Sequence, residues 1–265
     1  MCANDVPPGP VAVRGTGRTA AVVVAGLARL GHEVVCSPEV LHRADLSAEP
    51  GLGSALLDPL RSGRLRCSGA PRARTVFVCG DRAGIARLSE RLPDGGTVVN
   101  TCLPPWECTS ALAGALGRPD LRFASHPLVL RPGTALQDFL APDCLVIGST
   151  DPAAGRVVAD LHPAASAPVV HVDLRTADLV GPARDGLCAM KQQFFDQLAD
   201  YCQAVGADVD SVVACLQGDR RIGRPRTRAA TDQLDVDQHR GVARLRALAG
   251  ADAPPPTLSA LDAHP

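Results

Sequence analysis

Short β-branched runs alternate with helix-period patterns from Val11 to Asp173. Val11 to Arg14 reads as a strand that runs into glycines, and an apolar helix follows it to Leu30. His32 to Cys36 predicts a second strand and Leu52 to Leu60 a helix. Further strands are predicted at Arg74 to Cys79, Thr97 to Cys102, Arg122 to Ser125, Cys144 to Ser149 and Pro168 to Asp173, most of them separated by helical stretches. That order implies an α/β fold, a parallel doubly wound sheet with helices on both faces. From Thr176 the pattern changes to a long helix over Ala177 to Ala204, with interruptions expected near Gly181-Pro182 and Gly186. A short helix follows with Asp208 or Asp210 as its N-cap. Beyond Gly223 the chain is rich in Arg and Pro, with one more helix expected over Val236 to Leu248 and a frayed Pro-rich end.

Composition adds little to this pattern. The chain has 265 residues, 46% hydrophobic and 21% charged, with a net charge of −1, so no electrostatic argument favours nucleic acid or a membrane surface as partner. Lys191 is the only lysine, and the abundance of Arg, Ala, Gly and Pro suggests a GC-rich bacterial source. MCANDVPPGP lacks the regions of a secretion signal, and the apolar run Ala20 to Ala28 is too short to span a bilayer. The ten cysteines are scattered and never form CxxC, which fits reduced thiols and a cytoplasmic location. Cys102 and Cys108 lack a second Cys/His pair, so no metal site is expected.

Gly15-Thr16-Gly17-Arg18-Thr19-Ala20 reads G-x-G-x-x-A between a strand and a helix, the fingerprint of a Rossmann-like dinucleotide site. The first glycine permits the turn, and the second lets backbone approach a pyrophosphate. The helix N-terminus then supplies N–H groups to the phosphates. Gly15, Thr16, Gly17, Arg18 and Thr19 are therefore the candidates for holding NAD or NADP. An acidic residue should end the second strand to take a ribose hydroxyl. Here Ser37 and Pro38 stand in its place, with Glu39 one step later as the ribose candidate. A turn kept for folding alone is the competing reading.

Several stretches together resemble the UDP-glucose/GDP-mannose (nucleotide-sugar) dehydrogenase family: LARLGHEVVC, AEPGLGSALLDPLRSGRLR, ASHPLVLRPGTALQDFLAPDCLVIGS, and the segment from DLRTADLVG to the DRRIG turn. The resemblance runs in order from Val11 to Gly223. It implies a Rossmann domain, a central dimer-forming helix and a C-terminal nucleotide-sugar domain. It also implies four-electron oxidation of a sugar 6-hydroxyl by NAD through a cysteine thiohemiacetal. Several positions depart from that pattern. The family's nucleophile lies downstream of R-I-G, whereas the last cysteine here is Cys215. Gly181 stands at the family's catalytic lysine and Asp185 at its asparagine, while Lys191 aligns with a second family lysine. Leu128 and Pro132 replace the two glutamates of P-E-F-L-R-E, and Thr101-Cys102 replaces the Ser-Thr before the Pro-rich turn.

Other candidates have bland competitors. Cys102, near a strand end, is a candidate relocated nucleophile or a small buried replacement for threonine. His126 is a candidate acid or base, or a structural histidine. Arg220, Arg221, Arg224, Arg226 and Arg228 read as a solvated hinge more readily than a phosphate site, and Asp232, Asp235, Asp237 and His239 as the acidic start of a helix. Leu187, Met190, Phe194, Phe195, Leu198 and Tyr201 form an apolar face that suits core or a homodimer or heteromer interface.

The organisation expected is a Rossmann-like domain over 1–174, a central helical region over 175–223 and an Arg/Pro-rich tail over 224–265 in place of the nucleotide-sugar domain. The preferred functional reading is a degenerate, truncated homologue of the dehydrogenases, non-catalytic or repurposed, in a bacterial biosynthetic pathway. The alternatives are an NAD(P)-dependent two-electron oxidoreductase acting on a nucleotide sugar or related small molecule, and a scaffold or regulatory subunit of a full-length paralogue.

Overall fold

A computed structural model of the chain describes residues 9–42, 49–69, 72–80, 85–101, 108–163, 167–219, 222 and 243. Strand β1 (Val11–Gly15) leads into helix α1 (Gly17–Arg29). There follow β2 (Val34–Cys36), α2 (Pro38–His42), α3 (Leu52–Arg61), β3 (Leu65–Cys67), β4 (Thr75–Cys79) and α4 (Ile85–Arg91). After these come β5 (Thr97–Asn100), α5 (Thr109–Leu116), β6 (Arg122–Ser125), α6 (Ala135–Leu140), β7 (Leu145–Ser149), α7 (Pro152–Asp160) and β8 (Val169–Val172). The last two elements are α8 (Leu174–Val205) and α9 (Val209–Gln217). The chain divides into two compact units, the first ending at Asp178 and the second starting at Leu179.

The strands form one eight-stranded sheet in the order β3-β2-β1-β4-β5-β6-β7-β8. Alternation along each strand separates two core layers. Val11, Val13, Phe77, Cys79 and Val99 join α1, α3, α6 and α7 on one face, while Ala12, Val76, Val78 and Val98 meet α4 and α5 on the other. This is the doubly wound, Rossmann-like arrangement that the alternation predicts. Helix α1 is apolar on all sides, with every residue from Ala20 to Ala28 buried, because sheet and neighbouring helices enclose it. Its contact with α6 needs a glycine: a Cβ at Gly26 would lie 2.1 Å from a ring carbon of Phe139.

Four details differ from the sequence pattern. Strand β3 was not expected, because Arg66 and Cys67 are exposed and only Leu65 supplies an apolar signal. Strand β7 runs antiparallel to β6, whereas the other neighbouring strands pair parallel. The chain between β6 and β7 leaves the sheet to pack α6 on α1, Phe139 against Gly26, before it returns as β7. Strand β5 ends at Asn100 rather than Cys102, which lies outside the described residues. Helix α8 continues through Gly181-Pro182 and Gly186 without the expected interruptions, since a proline removes one helical hydrogen bond while flanking turns keep theirs. Asp208 caps α9 by accepting from the backbone N–H groups of Asp210 and Ser211. The predicted helix over Val236 to Leu248 and, apart from Ala243, the tail from 224 lie outside the described residues.

Three histidines meet inside the first unit. His32 Nε2 lies 3.0 Å from the Leu161 carbonyl oxygen, and the His162 ring packs edge-on to His126 at 5.3 Å and tilted against Phe139 at 5.0 Å. Neither ring nitrogen of His162 has a hydrogen-bond partner. Burial, with the neighbouring His126 and His32, lowers its pKa to about 3. An unfolded histidine titrates near ~6.5, so below that pH the unfolded chain takes up a proton that the native state refuses. Stability therefore falls from about pH 6.5 toward pH 3, by up to ~1.4 kcal/mol per pH unit from this group. Urea denaturation across this range is expected to show that slope, and His162→Phe is expected to flatten it.

Candidate functional site

The glycine turn sits where the sheet order reverses, between β1 and β4, at the carboxyl ends of the strands. Gly15 has φ 143°, and a Cβ there would lie 2.2 Å from the Cys79 carbonyl oxygen and 2.7 Å from its Cβ. Only hydrogen fits against β4. Gly17 has φ 77°, and nothing lies within 4 Å of where its Cβ would be, so space above the turn is open to a ligand. Thr16 caps α1 in an extended conformation without a side-chain hydrogen bond, and the first turn of α1 holds no acidic residue. Its N–H groups and the positive end of the helix dipole are thus uncompensated by the cap, which suits an anion. Thr19 is half-buried in the same turn.

Arg18 turns its guanidinium to Glu49, Nη1 donating to Oε1 at 2.7 Å. Glu49 is buried, and it also accepts from the backbone N–H groups of Gly133 and Ala135 at 3.1 Å each. This carboxylate ties the residues before α3 to the start of α6. Sequence reasoning missed Glu49, whose only signal is an acid beside Pro50-Gly51. Ser37 is buried directly after β2, and Glu39 is exposed in the first turn of α2. The register pairing Val13 with Cys36 brings that segment to the same sheet edge as the turn.

On the other side of the switch point, the strand ends close over a second buried carboxylate. Asp178 accepts from Thr109 N at 2.8 Å, Thr109 Oγ1 at 2.7 Å and Ser125 Oγ at 2.6 Å. Asn100 Nδ2 donates to Thr109 Oγ1 at 3.1 Å. Asp178 therefore joins the N-terminal turn of α5 to the end of β6, with its charge facing a helix N-terminus. His126 follows β6; its Nδ1 donates to the Val146 carbonyl at 2.9 Å and its buried Nε2 has no partner. Burial lowers its pKa. The ring belongs to the histidine cluster rather than to open space at the strand ends.

The segment after His126 carries Leu128 and Pro132, the positions at which the resemblance implies two glutamates. Leu128 packs against the core cluster of α1 and α6, and Pro132 is exposed. Between them Arg131 binds Asp138 through its backbone N–H at 2.7 Å and its guanidinium at 2.5 and 3.1 Å. Burial by itself would raise the Asp138 carboxyl, but these bonds and that of Thr134 hold it below its ordinary value. In the second unit, a Cβ at Gly181 would meet open space, and Asp185 pairs with Arg184 at 2.7 Å. Lys191 donates to the Ile222 carbonyl at 3.0 Å. Cys102, Arg220, Arg221, Arg224, Arg226, Arg228, Asp232, Asp235, Asp237 and His239 lie outside the described residues. Among the described residues no group of three or more His, Cys, Asp or Glu is placed to hold a metal, and no helix is long and apolar enough to cross a membrane.

No family model matches the chain. It is 25% identical over 244 residues to the UDP-glucose 6-dehydrogenase YwqF of Bacillus subtilis, covering 80% of this chain and 56% of that protein. A UDP-glucose dehydrogenase from Pyrobaculum islandicum superposes with a TM-score of 0.70 at 28% identity, over 84% of this chain and 60% of that one. The chain is thus similar, in sequence and in fold, to nucleotide-sugar dehydrogenases. A GDP-mannose dehydrogenase from Pseudomonas aeruginosa shares the fold, with a TM-score of 0.68 at 21% identity over 79% of this chain and 56% of that one. The chain spans about half the length of the curated relatives it matches, 56% of YwqF.

Removing the Asp178 carboxylate leaves Thr109 N–H and two hydroxyls buried without their acceptor. Asp178→Ala is expected to lower stability by about 2–4 kcal/mol in urea or thermal denaturation, with a smaller loss for Asp178→Asn, which keeps one acceptor oxygen.

Proposed function

We propose that this chain is a dinucleotide-binding member of the nucleotide-sugar dehydrogenase family that holds NAD or NADP at the Gly15–Gly17 turn and does not itself carry out the four-electron sugar oxidation. The reading places it in a bacterial biosynthetic pathway as a non-catalytic or repurposed protein. One contrast at the strand ends supports it. The phosphate turn keeps its glycines and its open helix N-terminus, whereas a half-buried Leu128 packs against the core where the resemblance implies a carboxylate. Gly181 and Asp185 at the family's lysine and asparagine positions point the same way. NAD(P) is a hydride acceptor; the turn of this chain supplies backbone donors to its pyrophosphate, and Glu39 is the acidic candidate for a ribose.

A second observation favours association. Leu187, Met190, Phe194, Tyr201 and Val205 are exposed along α8 at spacings that put them on one helical face. We propose that this stripe pairs with a second copy or with a full-length paralogue.

Calorimetric titration with NAD and NADP is expected to give saturable binding with a Kd below about 1 mM for at least one of them. The variant Gly17→Asp, which puts a negative side chain over the turn at a positive φ that Asp tolerates, is expected to weaken it at least tenfold. UDP-glucose is expected to give no NADH with the same protein, and turnover would overturn the non-catalytic reading. Light scattering is expected to report an oligomer that Phe194→Glu dissociates.

A further inference from the structure

Cys36 and Cys67 are register partners at the ends of β2 and β3, and their Sγ atoms lie 3.7 Å apart. Partnered residues on neighbouring strands stand about 4.8 Å apart, inside the Cα range of about 4.4–6.8 Å that disulfides span. In-register partners point to the same face, so a modest side-chain rotation suffices to close the gap to the ~2.05 Å of a disulfide bond. The two thiols differ in access: Cys36 is buried and Cys67 exposed. Strand β3 ends the sheet order with Arg66 and Cys67 exposed, while Ser68 N–H donates to the Cys36 carbonyl at 2.9 Å and holds the pair in register. Nothing in the proposed cofactor site uses either sulfur.

We propose that Cys36 and Cys67 form a reversible dithiol–disulfide site that reacts with hydroperoxides, Cys67 being oxidised first and Cys36 resolving it. The Cys67 thiolate takes the terminal oxygen of hydrogen peroxide: an S–O bond forms, the O–O bond breaks and water leaves once protonated. The Cys36 sulfur then attacks the Cys67 sulfenic acid; the S–S bond forms, the S–O bond breaks, and the departing hydroxide takes the Cys36 proton as a second water. Overall, two thiols and one peroxide give one disulfide and two waters. Burial and the adjacent Cys67 push the Cys36 thiol up to about 12, which suits Cys36 to the resolving step and exposed Cys67 to the first.

The test treats the reduced full-length chain with hydrogen peroxide, blocks remaining thiols with N-ethylmaleimide under denaturing conditions, and maps non-reduced peptides by mass spectrometry. The expected product is a peptide pair linked through Cys36 and Cys67 that dithiothreitol separates. In Cys36→Ser, Cys67 is expected to accumulate as a dimedone-trapped sulfenic acid at least severalfold above the unsubstituted chain, and in Cys67→Ser residue Cys36 is expected to stay reduced. Full alkylation of Cys36 after peroxide treatment of the unsubstituted chain would overturn the proposal. So would pairing of Cys67 with exposed Cys144, Cys188 or Cys215 as often as with Cys36.

Discussion

The approach of β1 to β4 at Gly15 governs the rest of the first unit. A single Cβ at this position would collide with the Cys79 backbone, so the pairing of the two strands at their carboxyl ends exists only because residue 15 carries hydrogen. That pairing is also where the chain changes direction across the sheet, with β2 and β3 on one side of β1 and β4 to β8 on the other. Loops that leave neighbouring strands in opposite directions leave a crevice between them. The start of α1, with uncapped N–H groups, opens into it. One steric constraint thus lies where the strand order reverses, where the helix begins and where an anion can sit.

Two buried carboxylates secure the segments that flank this point. Glu49 gathers Arg18 and the N–H groups of Gly133 and Ala135, and Asp178 gathers Thr109 and Ser125. Each carboxylate accepts several hydrogen bonds, because a buried carboxylate without them would cost several kcal/mol, order ~3–5. The polar residues at the strand ends are therefore occupied in holding one another. That division fits a chain whose proposed role is to bind a dinucleotide through backbone groups rather than to act through acidic and basic side chains.

The parts of the fold legible in the sequence are those encoded by local pattern. Short β-branched runs in VAVRG, TVFVC and TVVN marked three central strands, and the apolar run of α1 marked a helix. The glycine turn was legible because its spacing carries a steric rule. What escaped depends on contacts far apart in the chain. Glu49 meets Gly133 and Ala135 more than 80 residues away, at separations of 84 and 86, and no local pattern announces that. His126 looked like a candidate acid or base from its place after a strand, yet its ring lies with His162 and Phe139, distant residues that only the packing of α6 and α7 brings together. Strand β3 escaped because an edge strand buries too little to leave an alternating signature. Homology carried what pattern could not, locating the segments whose departures from the family motivate the functional proposal.

The central claim is that the turn between β1 and α1 receives a dinucleotide pyrophosphate through its backbone. Hydrogen–deuterium exchange of the amides of Thr16 to Ala20, with and without saturating NAD or NADP, tests it most directly. The account predicts that these amides slow together on adding cofactor while those of the distant α9 do not change. Unaltered exchange at Thr16 to Ala20 with either cofactor would contradict it.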